Sequence, residues 1–141
     1  MRKNGRRLAG ILILGLLLVA ALAACGPKQT TVDVTLTGDY QIQLSQNTGN
    51  AGDITFNIEN TAQDIEHEFV IVKTDLSPSD FPLDDNGDVI EDQVNIVTEQ
   101  EAIQPGESAT LMATLEPGHY VLMCNLPGHF MQGMHTEFTV Q

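Results

Sequence analysis

The run Pro117-Gly118-His119-Tyr120-Val121-Leu122-Met123-Cys124-Asn125-Leu126-Pro127-Gly128-His129-Phe130-Met131-Gln132-Gly133-Met134 joins an apolar strand to a loop, with Cys124, His129 and Met134 spaced at intervals of five. The strand ends at Cys124, Pro127-Gly128 turns the chain, and a thiolate, an imidazole and a thioether are presented to a common point. That donor set matches a trigonal copper site with a weak axial sulfur. Zinc is the other metal of comparable softness. Placing three donors on one short loop limits how far the geometry can change when the metal changes oxidation state. A trigonal site needs a second imidazole, and His67 is the natural candidate. It opens the apolar segment His67-Glu68-Phe69-Val70-Ile71-Val72, where a packed strand holds it in position. The metal ligands expected from the sequence are therefore His67, Cys124, His129 and Met134. His119 and His135 have no partners at ligand spacing, and Met112, Met123 and Met131 read as packing or rim residues.

Outward from this run, hydrophobicity alternates with a period of two. Val32, Val34 and Leu36 form one such set; Tyr40, Ile42 and Leu44 a second; Ile54, Phe56 and Ile58 a third. Ala109 to Leu115 and Thr136 to Val140 continue it. Thr48-Gly49-Asn50, Asn60-Thr61, Pro105-Gly106 and Pro117-Gly118 are turn signals between them. Short strands punctuated in this way predict an all-β sandwich or barrel. Leu76 to Asp92 breaks the pattern and reads as a long excursion with a helical turn starting near Ser77 or Ser79. Its Asp84, Asn86 and Asp88 superficially match the first half of a calcium loop. However, Val89 stands where the turn glycine belongs and no Glu follows at the twelfth place, so a solvated loop is expected.

The N-terminus carries an address. Arg2, Lys3, Arg6 and Arg7 precede an apolar run from Ala9 to Leu22, closed by Leu22-Ala23-Ala24-Cys25. A basic head, an apolar run too short to span a bilayer and a small-residue exit describe a secretory signal. Leu-Ala-Ala-Cys resembles the bacterial lipobox, so Cys25 is the expected lipidation site and mature N-terminus. The predicted organisation is a signal peptide over 1–24, a lipidated tether over 25–30 and one domain over 31–141. Cleavage would leave only Lys28 and Lys73 against 19 acidic residues. Such a surface repels nucleic acid and excludes it as a partner. With Cys25 lipidated, Cys124 is the sole remaining thiol and no intramolecular disulfide forms. Metal ligation is one way to protect that thiol in an oxidising compartment.

The Cys-x4-His-x4-Met loop, the preceding Pro-Gly-x-Tyr strand and the upstream His-x-Phe-Val strand resemble the cupredoxins, the blue copper proteins, above all their auracyanin and sulfocyanin-like bacterial members. The resemblance runs from about Val34 to Val140. It implies a Greek-key β-sandwich with one type 1 copper at one end. Cys124 would be the thiolate ligand, His67 and His129 the equatorial imidazoles, and Met134 the axial ligand. It further implies a one-electron carrier serving redox proteins outside the cytoplasm; the lipobox adds a lipid that holds it to the bacterial cell membrane, and with only His119 and His135 left for a catalytic copper no enzyme is expected. Copper storage, acquisition or delivery is the alternative role. Glu68 departs from the Asn or Ser that commonly follows the first histidine and tethers the two ligand loops. An ionised carboxylate cannot donate, so the tether must differ here, with Asn125 as a possible source of donors.

Overall fold

The structure is a computed structural model that describes residues 29–141. The expected signal segment and Cys25 lie outside the described residues. Alternation of side chains builds two facing sheets. In β1 (Thr30–Leu36), Val32, Val34 and Leu36 are buried while Asp33 is exposed. In β4 (Gly52–Asn60), Ile54, Phe56 and Ile58 point inward. With β2 (Ile42–Leu44) and β7 (Ser108–Leu115) they form a four-stranded sheet in the order β2-β1-β4-β7. The second sheet contains β3 (Thr48–Gly49), β5 (His67–Lys73), β6 (Ile96–Ile103), β8 (Gly118–Met123) and β9 (His135–Val140). Its order is β3-β9-β8-β5-β6. β1 pairs with β4, and β3 with β9, in parallel; every other pairing is antiparallel. The chain thus changes sheet repeatedly, and the expected Greek-key sandwich is what it forms.

Between the sheets Phe56 packs on Phe69 and Phe138, with ring centroids 5.5 and 5.7 Å apart. Burying one such side chain contributes roughly 1.5–3 kcal/mol. Tyr120 is buried too, and its hydroxyl donates to the Glu116 carbonyl at 2.8 Å, pinning the turn that launches β8.

β5 is apolar on both faces for a reason. Phe69 and Ile71 face the sandwich interior, while Val70 and Val72 join Phe81, Val89, Val121, Met123 and Phe130 in a second cluster on the outer face. The excursion between β5 and β6 supplies the cover. It contains 3-10 turns at Pro78–Asp80, where a turn was expected, and at Glu91–Gln93. Asp84 organises its tip: one carboxylate oxygen accepts the Asn86 N–H at 2.8 Å and the Asp88 N–H at 3.0 Å. Those bonds hold its pKa below the usual carboxylate value. The acids of this loop close a turn, as the solvated-loop reading predicts.

The sequence pattern does not mark β6. It is an edge strand whose exposed Glu99 and Glu101 discourage pairing with other chains. Opposite Glu68 it bulges. His67 pairs with Ile103 but Phe69 with Gln100, and Ala102 takes a left-handed φ of 52°.

Asn60, fully buried at the end of β4, fixes the chain that leads into His67. Its amide nitrogen donates to the Ile65 and Ile103 carbonyls at 2.8 and 2.9 Å, and its oxygen accepts the Ala62 N–H at 3.0 Å. Asn60→Ala removes the partner of three backbone groups, of which the Ile103 carbonyl and the Ala62 N–H are buried. Urea denaturation of the metal-free variant should therefore show a loss of about 2–4 kcal/mol.

Candidate metal centre

Two strand ends and one loop meet at the site. His67, the first residue of β5, is fully buried, and its Nε2–H donates to the Thr37 carbonyl at 3.1 Å. That bond assigns the tautomer and leaves Nδ1 bare. Nδ1 faces the Nδ1 of His129 at 3.3 Å, and the same His129 nitrogen lies 3.2 Å from the sulfur of Cys124. All three donor atoms lie within 4.8 Å of one another. A proton satisfies one pair among these lone pairs; a soft cation satisfies all of them together. The donor chemistry fits copper, with two imidazole nitrogens and one thiolate.

The loop after Cys124 closes on itself. Gly128 and Gly133 adopt left-handed φ values of 79° and 93°, flanking His129 and the 3-10 turn Phe130–Gln132. The Met134 N–H donates to the His129 carbonyl at 3.2 Å, and the Cys124 N–H donates to the Met134 carbonyl at 3.0 Å. Met134 is fully buried in the same apolar cluster as Cys124. All four residues expected as ligands therefore come to one end of the sandwich.

Electrostatics favour neutral groups until a metal arrives. Burial pushes the Cys124 thiol up to about 11, although the N–H groups of Glu68 and Leu126 point at the sulfur and favour the thiolate. Burial also lowers the pKa of His67, helped by the neighbouring His129 and opposed by the bond to Thr37. His129 is lowered by burial against the pull of Asp88, and His135 by burial against Glu137. Metal binding must therefore displace the thiol proton, while the imidazoles are ready as neutral ligands.

The tether differs from the usual one, as expected, and Asn125 supplies the donor through its backbone. The Glu68 carboxylate accepts the Asn125 backbone N–H at 2.7 Å, so the acid links the two ligand segments as an acceptor. The Asn125 side chain turns to the excursion instead: Oδ1 accepts the Val89 N–H at 2.7 Å and Nδ2 donates to the Val89 carbonyl at 3.0 Å. Burial raises the pKa of Glu68, the Asn125 N–H lowers it, and Glu91, Glu99 and Glu101 raise it further. His119 and His135 stay out of the site. The first bonds the Thr74 carbonyl at 2.7 Å, and the second packs on Phe130.

Sequence reasoning missed Tyr40. Its ring stands edge-on to His129 at 5.0 Å and to His67 at 6.4 Å. It lies in the β1–β2 turn that also supplies the Thr37 carbonyl, with a φ of 60° that is uncommon for a bulky residue. The alternation around Tyr40 marks a strand position, and only the three-dimensional meeting of that turn with the ligand loop reveals its role.

The shifts predict a pH window for the metal-free fold. The unfolded chain takes up imidazole protons from about pH 6.5, whereas His67, His129 and His135 resist them in the fold. Stability present above that pH is lost as pH falls through the lowered values. Glu68, raised by burial, works in the opposite direction, its stability being lost as pH rises from the usual carboxylate value through the raised one. Stability held by the neutral Cys124 thiol is complete below pH 9 and lost as pH rises toward 11. Urea midpoints should be highest between about pH 6.5 and 9 and lower at pH 5 and pH 10.5.

Comparison with known proteins agrees with this geometry. No curated protein sequence matches significantly. Among solved structures, dithionite-reduced auracyanin from Roseiflexus castenholzii is 27% identical; the match covers 82% of this chain and 99% of that one, with a TM-score of 0.63. Auracyanin A from Chloroflexus aurantiacus, described as a "blue" copper protein, is 18% identical over 81% of this chain and 100% of its own, at a TM-score of 0.59. Rusticyanin from Thiobacillus ferrooxidans is 17% identical over 82% of this chain and 79% of its own, at 0.61. These last two share the fold. The sulfocyanin (SoxE) domain model matches residues 15–141, so with its sandwich and its nitrogen–sulfur donor cluster the chain belongs to the sulfocyanin family of cupredoxins, proteins that bind one type 1 copper.

Proposed function

We propose that this protein carries single electrons between redox partners outside the cytoplasm, through a type 1 copper held by His67, Cys124, His129 and Met134. We further propose that lipid on Cys25 ties it to the cell membrane. The observation that carries the first reading is the convergence of two imidazole nitrogens and a buried sulfur within 4.8 Å of one another. Bound there, copper supplies one-electron exchange between cuprous and cupric states.

The protein's own groups do the rest. His67 and Cys124 are fully buried and exclude water, whereas His129 is half-buried, so its ring edge is the shortest way out. Leu126, Pro127 and Met131 lie on the same loop as that edge, and Met131 is 62% exposed, whereas Phe130 is buried against Phe81. The acidic surface favours a basic partner and steers its approach. An enzyme with a second, catalytic copper needs further imidazoles, and His119 and His135 are engaged elsewhere.

Two experiments test these readings. Met134→Gln exchanges a soft axial donor for a harder oxygen, and Met134→Leu removes it. Copper should stay bound in both, with the potential falling in the first and rising in the second. Identical potentials in voltammetry would remove Met134 from the ligand set. Efficient handover of copper to an acceptor, without reversible reduction, would favour metal delivery. For the anchor, Cys25→Ser should release the protein from membranes or leave the precursor uncleaved while the copper spectrum is unchanged. A lost spectrum would make Cys25 a ligand.

A further inference from the structure

The ligand loop is fastened at more points than its own turns require. Asn125, the residue after Cys124, places its side-chain amide against the backbone of Val89 as a strand partner would, accepting from the N–H and donating to the carbonyl. The same amide nitrogen reaches Glu91 Oε1 at 3.0 Å. Three residues further along, the Gly128 N–H donates to Asp88 Oδ1 at 2.6 Å. Apolar contacts continue the seam. Phe81 stacks on Phe130 with ring centroids 5.6 Å apart and planes 15° from parallel. At Gly87, which has a φ of 86°, a Cβ would overlap the Met131 side chain. Excursion and ligand loop therefore meet at Asn125, Gly128, Phe130 and Met131.

None of these bonds involves a donor atom of the metal site. A carboxamide satisfied on both sides by the N–H and carbonyl of one residue has a single orientation, and its backbone is joined directly to Cys124. On the proposed reading of the site, we infer that Asn125 is a positioning residue for electron exchange. It braces the Cys124–His129 segment against the excursion so that the donors keep one geometry in both oxidation states. Asp88 is the second point of the same brace, on the peptide that leads into His129. Supporting groups of this kind hold a site within a fraction of an ångström of its working geometry, and smaller rearrangement makes electron exchange faster.

Asn125→Ala cuts the first point, Asp88→Ala cuts the second, and Asp88→Asn keeps an acceptor oxygen for Gly128. In the metal-free protein, Asn125→Ala should speed amide hydrogen exchange at Val89 about tenfold, and Asp88→Ala should do the same at Gly128. In the copper-loaded protein, both should retain the blue band while electron self-exchange, measured by NMR line broadening, slows by about threefold or more. Asp88→Asn should restore the rate seen with Asp88. Faster amide exchange with an unchanged self-exchange rate would reduce the brace to a structural contact and overturn the inference. Unchanged amide exchange in both alanine variants would remove the brace itself. Absence of a blue band from the unaltered protein would instead defeat the copper assignment, an outcome distinct from either. If Asn125→Ala does not fold, the Asp88 pair decides the question by itself.

Discussion

Two ring nitrogens and a sulfur meet at 3.2–3.3 Å, hydrogen-bond distance, where protons link them in the neutral state and a soft cation can take the protons' place. The surroundings hold them together. The Thr37 carbonyl fixes one imidazole by its far nitrogen, the N–H groups of Glu68 and Leu126 quieten the sulfur, and the bond between Cys124 and Met134 shuts the loop. Each restraint starts from a strand or turn whose position the sandwich core sets. The core thus sets the spacing of the donor cluster, and a metal entering it must displace the thiol proton.

The parts of this arrangement that were legible in the sequence are those encoded locally. Spacing along one loop revealed Cys124, His129 and Met134, and alternation revealed most of the strands. β6 was illegible because an edge strand needs little apolar surface: only Ile103 is fully buried, and glutamates stand where a pattern would show. Tyr40 was illegible because its contact depends on where a turn of one sheet falls relative to a loop of the other. The tether was half legible. That Glu68 cannot donate follows from its chemistry, but that it accepts from the Asn125 peptide depends on a strand bulge no local pattern records.

The excursion illustrates the same division. Its polar, proline-rich composition suggests a solvated loop, and its tip is one. Yet Phe81 and Val89 are buried, because β5 and β8 expose valines and Met123 on the face away from the sandwich interior. Apolar residues on both faces of a strand imply a layer on each side, so the double burial of Glu68 to Val72 announces the cover before the cover itself can be recognised.

That strict alternation along β5 and β8 also separates two kinds of heritable change. Inward residues carry the donors, and their immediate sequence neighbours, Glu68 and Asn125, bond to each other, with the Asn125 side chain reaching on to the surface loop. Replacements in the loop can act on the centre through those neighbours while leaving its chemistry untouched. On the proposed brace, a lineage can therefore drift through many loop sequences, adjusting how fast the centre exchanges electrons, without ever passing through a form that has lost its metal.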